Sequence, residues 1–235
     1  MAEAPQPPLR PTGKRLLLCG LVAGPLFTVA YLIEGATRAD YDPMRDPVSS
    51  LALGPYGWTQ VINFLVAGVL MVAFAVGVRR ELRARDRRSF FGPVLLGLFG
   101  VGLIGAGLFL TDPVSGYPPG TAHELRYTWH GALHDGLSML VFLGFPIACL
   151  VFARRFLGWR QWAWAAYSAL SAVVFLVLFV LAGSGFAQEP GYVDVGGLMQ
   201  RLCISVAWLW ITLFAVHLIR TRPLQPCGRP PGHPG

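Results

Sequence analysis

The residues best placed for chemistry lie in the stretch WHGALHDGLS, where His130 and His134 are four residues apart and Asp135 follows directly. On a helix this spacing puts both imidazoles on one face, one turn apart. Two such imidazoles can bind one ion, as in helical zinc sites. The pattern therefore indicates either a divalent metal site, with Asp112 as a further ligand, or two rings that hydrogen-bond to neighbouring helices.

The tetrapeptide DPVS occurs twice, beginning at Asp46 and at Asp112. An aspartate before a proline is typical of a turn or helix start, because its carboxylate accepts a hydrogen bond from a backbone N–H two or three residues on. We expect the first copy to begin a short helix that ends at Gly54-Pro55, and the second to form a turn. The alternative is that both aspartates belong to a site, as ligands or as carboxylates that orient imidazoles.

Two further polar pairs open apolar stretches: Gln60 with Asn63, and Gln200 with Arg201. A guanidinium at lipid depth is costly unless it reaches the interface or meets an outer carboxylate, for which Asp46, Asp112 and Asp135 are candidates. The three polar pairs predict one shared pocket. Its candidate binding residues are Ser49, Gln60, Asn63, Gln200 and Arg201.

The composition places these residues in a membrane protein. The 235-residue chain is 54% hydrophobic and 13% charged, with a mean hydropathy of +0.53, whereas soluble domains carry about 25% charged residues. The net charge of +7 does not indicate nucleic-acid binding, because the basic residues are scattered between apolar runs. The four cysteines form neither a disulfide framework nor a CxxC metal motif.

Six stretches are long enough to cross the hydrocarbon core as helices. They are 16–34, 58–78, 92–110, 128–152, 162–182 and 198–219. The sequence thus predicts an all-α polytopic membrane protein whose six transmembrane helices form three hairpins, with a membrane domain at 16–220 and disordered tails at 1–15 and 221–235. The first stretch exceeds the usual hydrophobic region of a signal peptide and has no small-x-small cleavage site, so we expect it to be retained.

The basic residues predict the orientation. Fifteen of the 19 lysines and arginines lie in the two tails and in the connections after the second and fourth stretches. By the positive-inside rule both termini are cytoplasmic in the cell membrane, and the polar pairs lie at the outer face.

Glycines are concentrated in the third stretch, GLFGVGLIGAGLF. Small residues at this spacing let helix backbones approach closely. We expect them to pack within the chain, and a homo-oligomer through this helix is the alternative.

Taken together, RDPVSSLALGPYGWTQVINFLVAG, TDPVSG, WHGALHDGLS and GLMQRL resemble domain-of-unknown-function family 998, a group of bacterial and archaeal membrane proteins. The resemblance runs from about Leu16 to Arg220. It implies a six-helix integral membrane protein and carries no established activity.

Three functions are compatible with these residues. The first is binding of a lipid or small solute, or support of a membrane partner, through an outer polar pocket. The second is a metal-dependent membrane hydrolase in which His130, His134 and Asp112 bind the metal, such as zinc, and Asp46 or Asp135 is the general base. The third is a proton-coupled transporter with His134, Asp135 and Arg201 as a relay, although the polar groups lie near one face rather than mid-bilayer.

Overall fold

The structure, a computed structural model, describes residues 11–85, 87 and 89–221, with side chains from Arg15 onward. Every regular element in this part of the chain is helical. A helix satisfies its backbone hydrogen bonds within one segment, as lipid requires, because no water is present there to bond to free N–H and C=O groups. The helices are α1 (Pro11–Thr37), α2 (Gly57–Ala84), α3 (Phe91–Leu108), α4 (Trp129–Phe142), α5 (Gly144–Gly158), α6 (Trp162–Phe186) and α7 (Gly196–Arg220), with a short 3-10 helix at Val48–Ala52.

Six stretches are long and apolar enough to span a bilayer, and α4 and α5 together form the fourth. This confirms the predicted all-α, six-span architecture. Because α1 begins at Pro11, four residues of the predicted tail before Arg15 are helical. The remainder of both predicted tails, 1–10 and 222–235, lies outside the described residues.

Successive spans alternate in direction, so the molecule has two faces. We call the side with connections 38–56, 109–128 and 187–195 the loop face. The other side, with connections 85–90 and 159–161, is the arginine face. A closed ring of neighbours surrounds the core: α1 packs against α2 and α7, α3 against α2 and α5, and α6 against α5 and α7.

The fourth span is broken where α4 ends at Phe142 and α5 begins at Gly144. Pro146 explains the break, because proline has no N–H to donate to the carbonyl of Phe142 and its ring clashes with that carbonyl. The two halves then pack differently. Helix α5 contacts both α3 and α6, whereas α4 lies mainly against α3 and makes no extensive contact with α6. A gap is therefore left between α4 and α6 at the loop face.

The glycines of α3 are used inside the chain. A Cβ on Gly100 would lie 2.7 Å from the carbonyl oxygen of Gly68 in α2, and one on Gly102 would lie 2.8 Å from that of Leu137 in α4. Such close backbone approach needs small residues. The predicted intramolecular packing is present, and a homo-oligomer through these glycines, which stays a prediction, would have to displace it.

A buried ion pair ties two helices together at the arginine face. Arg85 Nε donates to Glu81 Oε1 at 2.6 Å, and both side chains are at most 6% exposed. The same guanidinium donates to the Leu218 carbonyl and to Thr221 Oγ1, each at 2.6 Å, at the end of α7. The sequence analysis used the basic residues of this connection only to predict the orientation of the chain, and Arg85 in addition ties α2 to α7. The spacing of Glu81 and Arg85, four residues apart on one helix, was the available signal.

Candidate functional site: a cavity at the loop face

A cavity of about 760 Å³ opens in the gap beside α4. It is bounded by α1, α2, α3, α4, α6 and α7 together with all three loop-face connections. On α6 its lining runs from Phe175 to Phe186, a rise of about 16 Å at roughly 1.5 Å per residue. Ligand pockets in proteins range from about 300 to 1,000 Å³. The volume therefore suits a small organic ligand.

The inner part of the cavity is apolar and rigidly packed. Trp208 lies at its base, with ring centroids 5.6 Å from Phe27 and 5.4 Å from Phe99. Phe142 of α4 stacks on Phe179 of α6 with centroids 4.7 Å apart, and both rings line the cavity. Tilted and edge-to-face aromatic pairs of this kind hold their positions well. This part can take only an apolar group.

The outer part is polar and acidic. Tyrosine aside, the polar and charged lining side chains are Ser49, Thr111, Glu124, His134, Asp135, Ser138, Gln188 and Gln200. Two of them, Glu124 and Asp135, are carboxylic acids. No lysine or arginine among the described residues lines the cavity. The outer part therefore favours an uncharged hydrogen-bonding group or a cation over an anion.

His134 is held in a defined orientation at this polar end. Its Nδ1 is 2.8 Å from the carbonyl oxygen of Phe109 and 3.1 Å from that of Ala106, and the residue is 3% exposed. A carbonyl oxygen can only accept, so Nδ1 carries a proton, and in the neutral ring Nε2 keeps its lone pair. The ring thus brings a hydrogen-bond acceptor to the cavity wall.

Gln200 and Ser49 join the cavity to the first loop-face connection. Gln200 Oε1 accepts a hydrogen bond of 2.7 Å from the backbone N–H of Val48, the first residue of the 3-10 helix. The carbonyl end of the amide is therefore committed, and its NH₂ group remains as the donor. Both Gln200 and Ser49 line the cavity, as predicted for the pocket.

Two exposed glycines line the gap between α4 and α6. Gly136 of α4 and Gly183 of α6 both line the cavity, and a Cβ on either would meet no other residue within 4 Å. Both helices belong to membrane spans. An opening of the cavity between these two glycines would therefore face the lipid.

Arg201 lies under the first loop-face connection rather than in the cavity. It is 9% exposed and donates to the backbone carbonyl oxygens of Asp46 and Gly197, each at 2.9 Å, and to the Tyr41 hydroxyl. Its guanidinium carbon also lies 5.5 Å from the Tyr41 ring centroid, in a cation–π contact. The predicted partner was an outer carboxylate, that of Asp46, Asp112 or Asp135. The acceptors found are two backbone carbonyls and the Tyr41 hydroxyl.

The Asp46 carboxylate faces backward along the chain and accepts a 2.8 Å hydrogen bond from the Asp42 N–H. It does not cap the 3-10 helix that follows, which has no side-chain cap. Burial raises its pKa, and the neighbouring Asp42 carboxylate raises it further. Asp46 therefore fastens its own loop and does not reach the cavity lining.

Asp112 fastens the start of α4. It is 2% exposed, and its two oxygens accept from the Thr128 hydroxyl at 2.6 Å and from the Thr128 N–H at 2.7 Å. Thr128 is the N-cap of α4 and accepts in turn from the Gly131 N–H. The carboxylate presses so closely on this first turn that a Cβ on Gly131 would lie 1.9 Å from it. A negative charge here also suits the positive end of the helix dipole.

The residues of the predicted metal set are not brought together. His130 is 39% exposed, its Nδ1 donates to the Leu110 carbonyl at 3.1 Å, and it lies 4.0 Å from Asp112 Oδ1. Nδ1 of His134 is committed to two backbone carbonyls. Within the described ranges no group of three or more His, Cys, Asp or Glu side chains is placed to hold one metal ion. The hydrolase hypothesis is therefore left without a ligand set in this part of the chain.

Gln60 and Asn63 are buried in α2, next to the cavity but not in its lining. Asn63 Nδ2 donates to Gln60 Oε1 at 3.0 Å and to the Phe27 carbonyl of α1 at 3.1 Å. Neither residue lines the cavity. Of the predicted pocket residues, Ser49 and Gln200 reach it, together with His134 and Asp135, whereas Gln60, Asn63 and Arg201 hold helices and loops in place.

The family model described as "Protein of unknown function (DUF998)" matches residues 21–217, which is most of the chain. The chain belongs to this family. Comparisons with curated proteins and with solved structures give no match.

The DUF998 match covers every residue of the cavity and both DPVS turns. Four polar lining residues of this DUF998 protein escaped the sequence reasoning: Thr111, Glu124, Ser138 and Gln188. Ser138 had a signal, since it lies four residues after His134 and therefore on the same helix face. Glu124 and Gln188 lie in connections, where no periodicity marks the side that a residue faces.

Proposed function

We propose that this DUF998 protein binds an amphiphile, a lipid or a lipid-like solute, in the loop-face cavity. The apolar tail lies against Trp208 and the aromatic side chains of α4 and α6, and the head group lies at the polar end. The observation that carries this proposal is the division of one cavity into an apolar inner part and a polar outer part. An opening between Gly136 and Gly183 would supply an entry path from the bilayer.

The chemistry of the polar end favours a class of head group. Asp135 and Glu124 are acidic, His134 presents a lone pair, and Gln200 presents its NH₂ group. An uncharged head rich in hydroxyl groups, or a cationic one, can satisfy these groups. An anionic head would meet two carboxylates and no balancing cation among the described lining residues, which is unfavourable in a partly buried site.

Binding can be tested with three amphiphiles that share an oleoyl-length tail and differ only in the head: a monoacylglycerol, a fatty amine and a fatty acid. The purified protein in detergent is titrated with each, and the unfolding temperature and the bound mass by native mass spectrometry are recorded. We expect stabilisation by the first or second probe and none by the fatty acid.

A cavity-filling variant makes this test specific. Gly183→Leu places a side chain in the open gap, where a Cβ meets nothing within 4 Å, so we expect normal folding and at least about tenfold weaker binding, or about 1.4 kcal/mol. Val180→Phe is the matched control, since Val180 lies on the same helix, is 62% exposed and does not line the cavity. Equal binding by both variants, or preference for the fatty acid, would refute the proposal.

We also infer that the loop face is extracytoplasmic and that the membrane is the cell membrane. The distribution of basic residues supports this orientation, because 15 of the 19 fall in the tails, in the two connections of the arginine face or in the helix ends next to them. The cavity would then take its ligand from the outer leaflet.

A further inference from the structure

A second concave site lies at the arginine face, between the start of α3 and the end of α5. It has a volume of about 510 Å³ and is lined by Phe91, Val151, Arg154, Arg155, Gly158 and Trp159. It is at the opposite end of the molecule from the loop-face cavity and shares no residue with it.

The charge of this site is strongly positive. Arg154 and Arg155 are both exposed side chains, and no carboxylate of the described residues lies within 4.0 Å of either. A third guanidinium, that of Arg87, lies 4.7 Å from the ring centroid of Trp159, which lines the site. Burial lowers the pKa of Arg87, and the nearby Arg85 lowers it further, so like charges are crowded here.

The surroundings of these cations are apolar and aromatic. Phe91 is 67% exposed at the start of α3, and its neighbour Phe90 is 55% exposed. Trp162, the first residue of α6, is 64% exposed. Aromatic side chains with this exposure at the ends of spans are typical of the membrane–water interface. The wall formed by Phe91 and Val151 therefore faces acyl chains, while the arginines lie at the level of head groups.

We propose that this site binds one anionic phospholipid, with the phosphate between Arg154 and Arg155 and an acyl chain along Phe91 and Val151. Guanidinium groups form strong paired hydrogen bonds to phosphate oxygens. Basic pockets between membrane helices on the cytoplasmic side have the chemistry that anionic head groups require. The molecule then selects opposite head groups at its two ends, since the loop-face cavity is acidic and this site is basic.

The test compares two double variants that remove the same charge from the same face. The double variant Arg154→Gln/Arg155→Gln removes both arginine side chains that line the site. The control Arg83→Gln/Arg160→Gln removes two exposed arginines that do not line it. Each protein is placed in nanodiscs of phosphatidylcholine with a small fraction of phosphatidylglycerol. The phosphatidylglycerol retained on release into detergent is counted by native mass spectrometry.

We expect retention to weaken about thirtyfold in the Arg154/Arg155 variant, because each arginine near an anionic surface contributes about 1 kcal/mol of attraction. Retention should change less than threefold in the control. Unfolding temperatures in pure phosphatidylcholine should be equal for both variants, which separates loss of the site from loss of the fold. Equal losses in the two variants would show general surface charge and overturn the proposal. Displacement of the lipid by inorganic phosphate at millimolar concentration would also overturn it, because the site would then bind free phosphate.

Discussion

Asp46 and Asp112 occupy the same position in two copies of one tetrapeptide, yet their carboxylates have different partners. Asp112 accepts two hydrogen bonds from Thr128 at the start of α4. Asp46 accepts one from Asp42 within its own loop. In each copy, an oxygen of the aspartate nevertheless lies against a glycine in the first turn of a later helix. At Gly131 it is the Asp112 carboxylate, and at Gly197 it is the Asp46 carbonyl. The repeated turn is thus a repeated fastening of loop to helix.

Replacing Asp112 should weaken this fastening measurably. In Asp112→Asn the carboxylate that faces two donors of Thr128 becomes an amide with one acceptor, so one buried donor loses its partner. We expect a loss of about 1–3 kcal/mol in the free energy of unfolding. The measurement is reversible unfolding in mixed micelles. Asp194→Asn is the control, because the Asp194 side chain is 83% exposed and its ion pair with Arg45 is long, at 3.7 Å. A smaller loss at Asp112 than at Asp194 would contradict this role.

Asp46→Asn, in contrast, should not lower the free energy of unfolding at neutral pH. An asparagine oxygen can still accept the single hydrogen bond from Asp42 N–H. Because the folded-state pKa of Asp46 is raised by burial above the usual value near about 3.9, protonation favours the folded state. Its contribution to stability is complete below the unfolded pKa and is lost as the pH rises through the folded pKa. At neutral pH we therefore expect Asp46→Asn to be at least as stable as the native chain, with a flatter pH profile over that acidic window.

At the scale of single residues, the sequence predicted which side chains are unusual but not which atoms they meet. Polar residues at lipid depth stand out against leucine and valine, so Gln200, Arg201 and His134 could be identified without a structure. Their partners are mostly backbone carbonyls and N–H groups, as for Arg201 with Asp46 and Gly197. Backbone groups are the same at every position, so no residue type marks such a partner in advance.

Among the helices, the fourth span shows how one residue creates the cavity. Pro146 interrupts the span, and only the α5 half closes against α6. The α4 half follows α3, whose glycines allow close contact with Leu137. The proline made a break possible but did not determine it, because Pro25 lies inside the unbroken helix α1. The direction in which α4 leans was not predictable either, because it depends on packing against α3.

The buried pair of Glu81 and Arg85 makes a prediction for helices α2 and α7. Arg85→Gln removes the contacts to Leu218 and Thr221 and leaves the Glu81 carboxylate, which is 3% exposed, without its partner. Breaking a buried pair in this way costs about 3–5 kcal/mol, measured as unfolding free energy in micelles. Adding Glu81→Gln should recover part of that loss, since no buried charge is then left over.

The exposed Arg83 is the control for this pair, because Arg83→Gln should change stability by no more than about 0.5 kcal/mol. The interpretation of a buried tie fails if Arg85→Gln and Arg83→Gln have equal effects. It fails as well if the double variant of Glu81 and Arg85 is less stable than Arg85→Gln alone.

For the whole molecule, hydrophobic length predicted the six spans because lipid allows few alternatives to a helix of about 20 apolar residues. The cavity was predicted less completely. Three polar pairs on three helices suggested one shared pocket, and the structure brings His134 and Gln200 to it while Gln60 and Arg201 are used for packing. Which of several polar residues faces a cavity depends on helix rotation, and the short polar stretches at the span ends do not determine that rotation.

The orientation of the whole molecule remains a prediction from the arginines and can be tested with two cysteines. Ala122→Cys lies in a loop-face connection and Ala84→Cys at the arginine-face end of α2, and both native residues are small, uncharged and exposed. Cys19 and Cys227 are replaced by serine, whereas Cys149 and Cys203 are 0% exposed and can stay. In intact cells a membrane-impermeant maleimide should label Ala122→Cys within minutes and Ala84→Cys only after permeabilisation. Because the substitutions leave every arginine in place, labelling of Ala84→Cys in intact cells would mean that the positive-inside rule does not govern this chain, and the amphiphile cavity would then open toward the cytoplasm.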